Sequence, residues 1–257
     1  MMFLVGVLVA YLVFRAAFKS ASARPTPLSL LLRYVFVVYA CSLGAQWFAY
    51  AFDASTTLIA PPGESVMRYY FNPLSGPKTL YGAVVMLPLA IALGFAGARI
   101  GFIEATDRAT PALMTILGIA RVGCFLQGCC YGLRSDTFGV SFPAGSSVHG
   151  DQFLQGMVGS GDAALPVLPV QVASSLACFS LAVWSFREVT RTERFVFVRT
   201  VSAYSAFRFI IEFLRADPAR NSWAALSTSQ WIALAILLMA TLTYGRARWS
   251  KRSPSSP

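Results

Sequence analysis

Charge is scarce in this chain. Only 12% of its 257 residues are Asp, Glu, Lys or Arg, about half the share of an ordinary soluble domain. A 56% hydrophobic content accompanies that shortage, which argues for a membrane protein and against a soluble globular one. Acidic residues are the scarcer sign, 11 against 21 Lys and Arg. The net charge of +10 does not indicate nucleic acid, because no basic stripe interleaved with aromatics is present and the cations sit between apolar runs. Histidine occurs once, at His149, and five Cys form no spaced framework, so a disulfide scaffold is excluded. The first residues, MMFLVGVLVAYLVF, lack both a charged leading region and a small-residue cleavage site. They read as a retained span, not a signal peptide. No internal repeat is visible.

Long apolar runs are what the chain does have. A spanning helix needs about 20 mostly apolar residues. Seven segments qualify, roughly 2–18, 29–51, 80–98, 111–131, 168–186, 196–215 and 228–245. Helix is expected in each, because backbone polar groups in lipid must be bonded within their own segment. The fold class is therefore all-α, a polytopic bundle of seven membrane helices. Residues 1–250 form one integral-membrane domain, and KRSPSSP at 251–257 is a short tail.

The cations set the orientation. Arg15, Lys19 and Arg24 follow the first span, and Arg99 and Arg108 follow the third. Arg187, Arg191, Arg194 and Arg199 separate the fifth and sixth, and Arg246, Arg248, Lys251 and Arg252 follow the seventh. With seven spans all four clusters fall on one side, which places the amino terminus outside and the carboxyl terminus in the cytoplasm. Two longer outside loops, 52–79 and 132–167, carry Arg68, Lys78 and Arg134, with Arg215 and Arg220 also on that side.

Four ionisable residues fall inside spans: Arg33, Arg121, Arg208 and Glu212. Such residues cost roughly 2.5–3.5 kcal/mol each at the bilayer centre and mark cavities. Arg33 lies near a span end, where it snorkels to the interface. In AYSAFRFIIEFLRAD, Tyr204, Arg208 and Glu212 recur every four residues and so share one helix face. A structural Arg208–Glu212 ion pair would explain that segment alone. Adding Arg121 from a second span makes two cations against one acid, and an anion in the cavity would balance them. Phosphate suits, because guanidinium binds it through paired hydrogen bonds.

Arg121 opens RVGCFLQGCCYG, whose last residues read as a helix breaking into a loop. Cys124, Cys129 and Cys130 permit three readings: small residues lining a packed helix, a reactive or paired thiol, or a metal site. Zinc usually needs four ligands and no fourth is evident, so no metal is expected. His149, in a polar loop, reads as solvated, with a general base as the alternative.

Together these segments resemble the prolipoprotein diacylglyceryl transferase family, over most of the chain from about Tyr81 to Trp231. RVGCFLQGCCYG resembles the family signature that begins Arg-Ile-Gly. YSAFRFIIEFLRADP is similar to its later Tyr-Arg-Glu helix, TFGVSFPAGS to the segment after the signature, LPVLPVQ to its His-Pro-x-Gln segment, and LSTSQW to the Ser-x-x-Gln entry to the last span. The resemblance implies a bacterial cytoplasmic (inner) membrane enzyme without a cofactor. Its partners would be phosphatidylglycerol, the signal-peptide region of a prolipoprotein and the lipid bilayer, with no nucleic acid. It implies transfer of diacylglycerol to a lipobox Cys thiol, with release of glycerol phosphate.

The residues it assigns to catalysis are Tyr81, Tyr204, Arg208 and Glu212. Those it assigns to substrate binding are Arg121, Cys124, Gln127, Cys129, Gly132 and Gln171. Several family positions differ here. Tyr81 stands where many members have His, Cys124 where Asn is usual, Cys129 where Glu is usual, and Leu168 where the His of His-Pro-x-Gln falls. Those changes leave the proton-transfer step open. They also keep two alternatives: a related transferase with another acceptor, and a lipid-binding or transport protein.

Overall fold

The computed structural model describes residues 2–52, 65, 71–72, 80–191, 194–217, 222–223 and 225–250, without the side chains at 2–3, 52, 80–81, 222–223 and 243–250. Most of the expected loop 52–79, with Arg68 and Lys78, lies outside the described residues, as do Arg220 and the tail 251–257.

All seven apolar segments are helical. They are α1 (Met2–Ala17), α2 (Pro27–Phe52), α3 (Leu80–Gly94), α4 (Phe102–Gln127), α6 (Val170–Thr190), α7 (Val196–Ile211) and α8 (Thr228–Ser250). A short helix, α5 (Ser147–Leu154), lies between α4 and α6, and a two-residue antiparallel pair, Ser222–Trp223 with Leu226–Ser227, precedes α8. Among the described residues, three helices are long and apolar enough to cross a membrane: Pro27–Ala51, Phe102–Gln127 and Val170–Thr190. Gly82–Gly94 and Thr228–Leu242 are shorter apolar helices.

The chain divides into two compact units, residues 11–109 and residues 1–10 with 110–257. In the first, α2 and α3 approach closely where Gly44 meets Gly82. A Cβ on Gly82 would lie 2.1 Å from the Gly44 carbonyl oxygen, so backbone contact requires glycine there. Phe14, Phe18, Tyr34 and Phe95 build an aromatic core with ring centroids 4.6–6.4 Å apart.

One expectation is corrected in this unit. Helix α4 starts at Phe102, nine residues before the apolar run suggests, and so takes in Glu104, Asp107 and Arg108. Arg108 is therefore not a free loop cation: it is buried, and it donates to Glu104, the Ala17 and Ser20 carbonyls and the Ser20 hydroxyl. Glu104 in turn accepts from the Ser22 amide and hydroxyl. These partners let charged residues continue a helix that composition alone would end. Arg33 is half-buried; it donates to Ser29 and to the Gly94 carbonyl and lies 5.3 Å from the centre of the Phe95 ring.

In the second unit, the Ser175 hydroxyl of α6 donates to the Gly118 carbonyl of α4 at 2.9 Å, and the Phe179 ring covers Gly118. Three extended segments pair beside the ends of the helices. Gly132 and Leu133 bond to Leu168 and Leu214, Val140 bonds to Val167 in both directions, and Ala216 donates to Tyr131. The expected loop 132–167 is thus an ordered cap, with its own core of Tyr131, Phe142, Val148, Ala164 and Val167. Gln152 closes it by bonding both the N–H and the carbonyl of Leu165. His149, expected in solvent, is buried in this cap: the Gly145 amide donates to its Nδ1 at 3.2 Å, and its Nε2 lies 3.1 Å from the Gly159 carbonyl. A neutral ring with Nε2–H satisfies both contacts.

Helix α8 begins with a capping box. The Ser227 hydroxyl accepts from the Gln230 amide, and the Gln230 side chain accepts from the Ser227 amide at 2.9 Å. Gln230 also donates to the Phe209 carbonyl at 3.4 Å, tying the start of α8 to α7.

Candidate functional site

The site is built around the carboxyl-terminal end of α7. Tyr204, Arg208 and Glu212 are all buried on one face, as their four-residue spacing requires. Arg208 Nη2 lies 2.8 Å from Glu212 Oε2 and donates to the Ser229 hydroxyl at the start of α8. The same Glu212 oxygen accepts from Arg215 at 3.4 Å. Arg215 then grips Asp217 with two bonds, of 2.9 and 2.6 Å. Glu212 is 1% exposed, so this carboxylate has exchanged water for two guanidinium groups.

Arg215 is a site residue that the sequence reading placed in an outer loop. Its backbone bridges Gly132, which holds it beside the segment that follows α4. Burial works against its charge, but the Asp217 and Glu212 carboxylates outweigh that effect and hold it protonated. Asp217 and Ser229 were also unassigned. The i,i+3 spacing of Glu212 and Arg215 was the available signal.

Arg121 lies half-buried in the last two turns of α4, with Tyr204, Cys124 and Cys130 near its guanidinium. Cys178, buried in α6, lies near both Arg121 and Arg208. The two arginines thus converge from separate helices, with Tyr204 touching one and standing a turn from the other. Glu212 and Asp217 pair with Arg208 and Arg215, and among the described residues Arg121 has no carboxylate within ion-pair distance.

Helix α4 ends just beyond Arg121 in a Schellman motif. Gly128 takes a left-handed φ of 69°, its amide donates to Phe125, and the Cys129 amide donates to Cys124. That turn folds Cys129 back over Cys124. Gln171, the second residue of α6 and 1% exposed, donates to the Cys129 carbonyl at 2.7 Å. Its Oε1 is buried and has no hydrogen-bond partner among the described residues. A buried acceptor without a donor costs about 1–3 kcal/mol.

The other expected residues divide. Gly132 is buried and close-packed: a Cβ there would lie 2.7–2.8 Å from Val170, Leu168 and the Leu214 carbonyl. Gln127, the last helical residue, is exposed and is not gathered with the buried cluster. Tyr81 belongs to the first turn of α3, and its side chain lies outside the described residues. Tyr131 beside the site donates to Asp151 at 3.0 Å; burial, then the Asp151 carboxylate, pushes its hydroxyl pKa upward, so it stays protonated.

The chain is 34% identical over 181 residues to phosphatidylglycerol–prolipoprotein diacylglyceryl transferase 2 of Clostridium perfringens, a match covering 68% of this chain and 64% of that protein. It is 30% identical over 181 residues to phosphatidylglycerol–prolipoprotein diacylglyceryl transferase of Clostridium tetani, covering 67% of this chain and 65% of that protein. The chain thus spans a little under two thirds of the length of these curated relatives. The family model described as prolipoprotein diacylglyceryl transferase matches residues 1–245, and with nearly its whole length accounted for, the chain belongs to the prolipoprotein diacylglyceryl transferase family.

Proposed function

We propose that this protein transfers a diacylglyceryl group from phosphatidylglycerol to the thiol of a lipobox Cys in a prolipoprotein. One observation carries the reading: Arg121, without a carboxylate partner among the described residues, and Arg208, which shares Glu212 with Arg215, come from separate helices to the neighbourhood of Cys178. A phosphodiester headgroup supplies the missing negative charge.

The reaction replaces the bond between the diacylglycerol carbon and a phosphate oxygen with a carbon–sulfur bond. The acceptor thiol loses its proton, because the thiolate is the nucleophile. Glycerol phosphate leaves with the electron pair of the broken bond, and the proton ends on solvent or on that phosphate. Charge on the departing phosphate grows as the bond breaks, so fixed guanidinium donors stabilise the transition state more than the bound lipid. Arg121 and Arg208 fill that role. Glu212 sets the direction of the Arg208 guanidinium. Tyr204, held by Arg121, bonds the headgroup or relays a proton. Gln171 Oε1 accepts from a headgroup hydroxyl. The chain's own Cys are not consumed, because the thiol that reacts belongs to the acceptor.

The membrane setting follows from the same reading. The seven helical segments are seven spans, with the amino terminus outside and the carboxyl terminus in the cytoplasm of a bacterial inner-membrane protein. The basic residues that follow the first, third, fifth and seventh segments support this orientation.

Purified protein mixed with phosphatidylglycerol and a lipobox peptide should give the thioether product and an equal amount of glycerol phosphate. Arg121→Ala and Arg208→Ala should each lower turnover at least about 100-fold, the scale of losing one transition-state donor. Absence of product under conditions in which a family enzyme works, or full activity in both variants, would refute the assignment. Rescue of a strain depleted of its own diacylglyceryl transferase tests the same activity in a cell.

A further inference from the structure

The sulfur atoms of Cys124, Cys129 and Cys130 all lie within 4.8 Å of one another. Three local features bring them there. The Schellman turn stacks Cys129 over Cys124, and the Cys129 sulfur lies 3.6 Å from the Cys124 carbonyl. Cys130 then takes a left-handed φ of 57°, which costs a residue with a side chain roughly 1–2 kcal/mol. Gln171 fixes the Cys129 backbone from α6. All three thiols are free and only partly buried. Proposed transfer chemistry uses none of them as a nucleophile, so their convergence needs another account.

The separation decides between sulfur chemistries. A disulfide needs two sulfurs at about 2.05 Å and leaves the third unused. Three thiolates around one ion, each about 2.3 Å from it, stand about 4 Å from one another, close to the arrangement already in place. Zinc in structural sites takes four ligands. Among the described residues, only these three His, Cys, Asp or Glu groups gather in this way, and the one His is engaged within the cap. A soft monovalent ion suits three thiolates without a fourth protein ligand.

We propose that Cys124, Cys129 and Cys130 form a three-thiolate binding site for a soft monovalent metal ion, copper(I). Binding forms three copper–sulfur bonds and releases the three thiol protons, with no change in oxidation state. Metal capture by thiolates is accordingly linked to proton release.

The test uses the full-length, reduced protein in detergent under nitrogen, titrated against the chromophoric copper(I)–bicinchoninate complex. One copper(I) per chain should be withdrawn from the chelator. Cys124→Ser, Cys129→Ser and Cys130→Ser should each weaken retention at least 100-fold, whereas Cys41→Ser and Cys178→Ser should leave it unchanged. X-ray absorption on the copper-loaded parent, which needs no variant, should count three sulfur neighbours at about 2.3 Å. A chain that takes no copper from the chelator overturns the proposal. So does equal retention in the triple Cys124/Cys129/Cys130 serine variant, or a two-sulfur count in the absorption spectrum.

Discussion

Replacing Glu212 with Gln keeps the shape of the side chain and removes its charge. Glu212 accepts from Arg208 at 2.8 Å and from Arg215 at 3.4 Å while almost fully buried. At an effective dielectric of about 20, attraction at the shorter distance is about 6 kcal/mol, and removal of water from both ions opposes much of it. Breaking one side of such a buried pair costs roughly 3–5 kcal/mol, mainly because the remaining ion is left uncompensated. Arg215 retains both bonds to Asp217, so the loss falls on Arg208, which among the described residues keeps Ser229 at 3.3 Å. Glu212→Gln should therefore lie near the lower end, about 3 kcal/mol less stable.

Its effect on transfer has a different origin. Arg208 without its carboxylate loses a fixed direction, and misplacing one donor to the departing phosphate costs about 100- to 1,000-fold in kcat. The assay is release of glycerol phosphate from phosphatidylglycerol with a lipobox peptide, run below the unfolding temperature of each variant. Glu212→Asp, which restores charge at a shorter reach, should recover part of kcat. Turnover within twofold of the parent in a folded Glu212→Gln protein would refute the orienting role.

Three further outcomes follow from particular contacts. Gly132→Ala places a Cβ 2.7–2.8 Å from three neighbours, including a carbonyl, and should lower stability by about 1–3 kcal/mol in thermal or denaturant unfolding. Ser227→Ala removes one half of the capping box that starts α8 and should cost about 0.5–2 kcal/mol by the same measurement. Gln171→Met removes the buried acceptor that the proposed function gives to a headgroup hydroxyl; with one net hydrogen bond worth about 0.5–1.5 kcal/mol, KM for phosphatidylglycerol should rise about two- to thirteenfold while kcat stays within twofold.

The helices were legible because their apolar runs are long and interrupted by turn residues, and the four-residue repeat of Tyr204, Arg208 and Glu212 fixed their common face before any coordinates. What stayed hidden depended on partners distant in sequence. Arg108 looks like a loop cation until Ala17 and Ser20 receive its donors. His149 looks solvated until the Gly145 amide and Gly159 carbonyl close around its ring. Arg215 sits one residue past a 3-10 turn, where a charge usually meets water, and only the pairing of its backbone with Gly132 turns it inward. The Cys spacing did not announce three converging thiols, because that convergence depends on left-handed conformations at Gly128 and Cys130.

The buried ions are themselves an argument about function. A buried ion pair is weak evidence for stability, since well-packed apolar residues of similar volume often serve as well or better. A bundle needing only cohesion at α7 would gain little from Arg208 and Glu212. Arg208 directs both of its hydrogen-bond contacts among the described residues from one nitrogen, Nη2, toward Glu212 and Ser229. A guanidinium carries five N–H donors in a rigid fork, so Nε and Nη1 remain for another acceptor. Glu212, shared with Arg215, neutralises neither arginine alone. The arrangement holds the fork in place without using up its charge, which is the property that binding a phosphate requires and a purely structural pair does not.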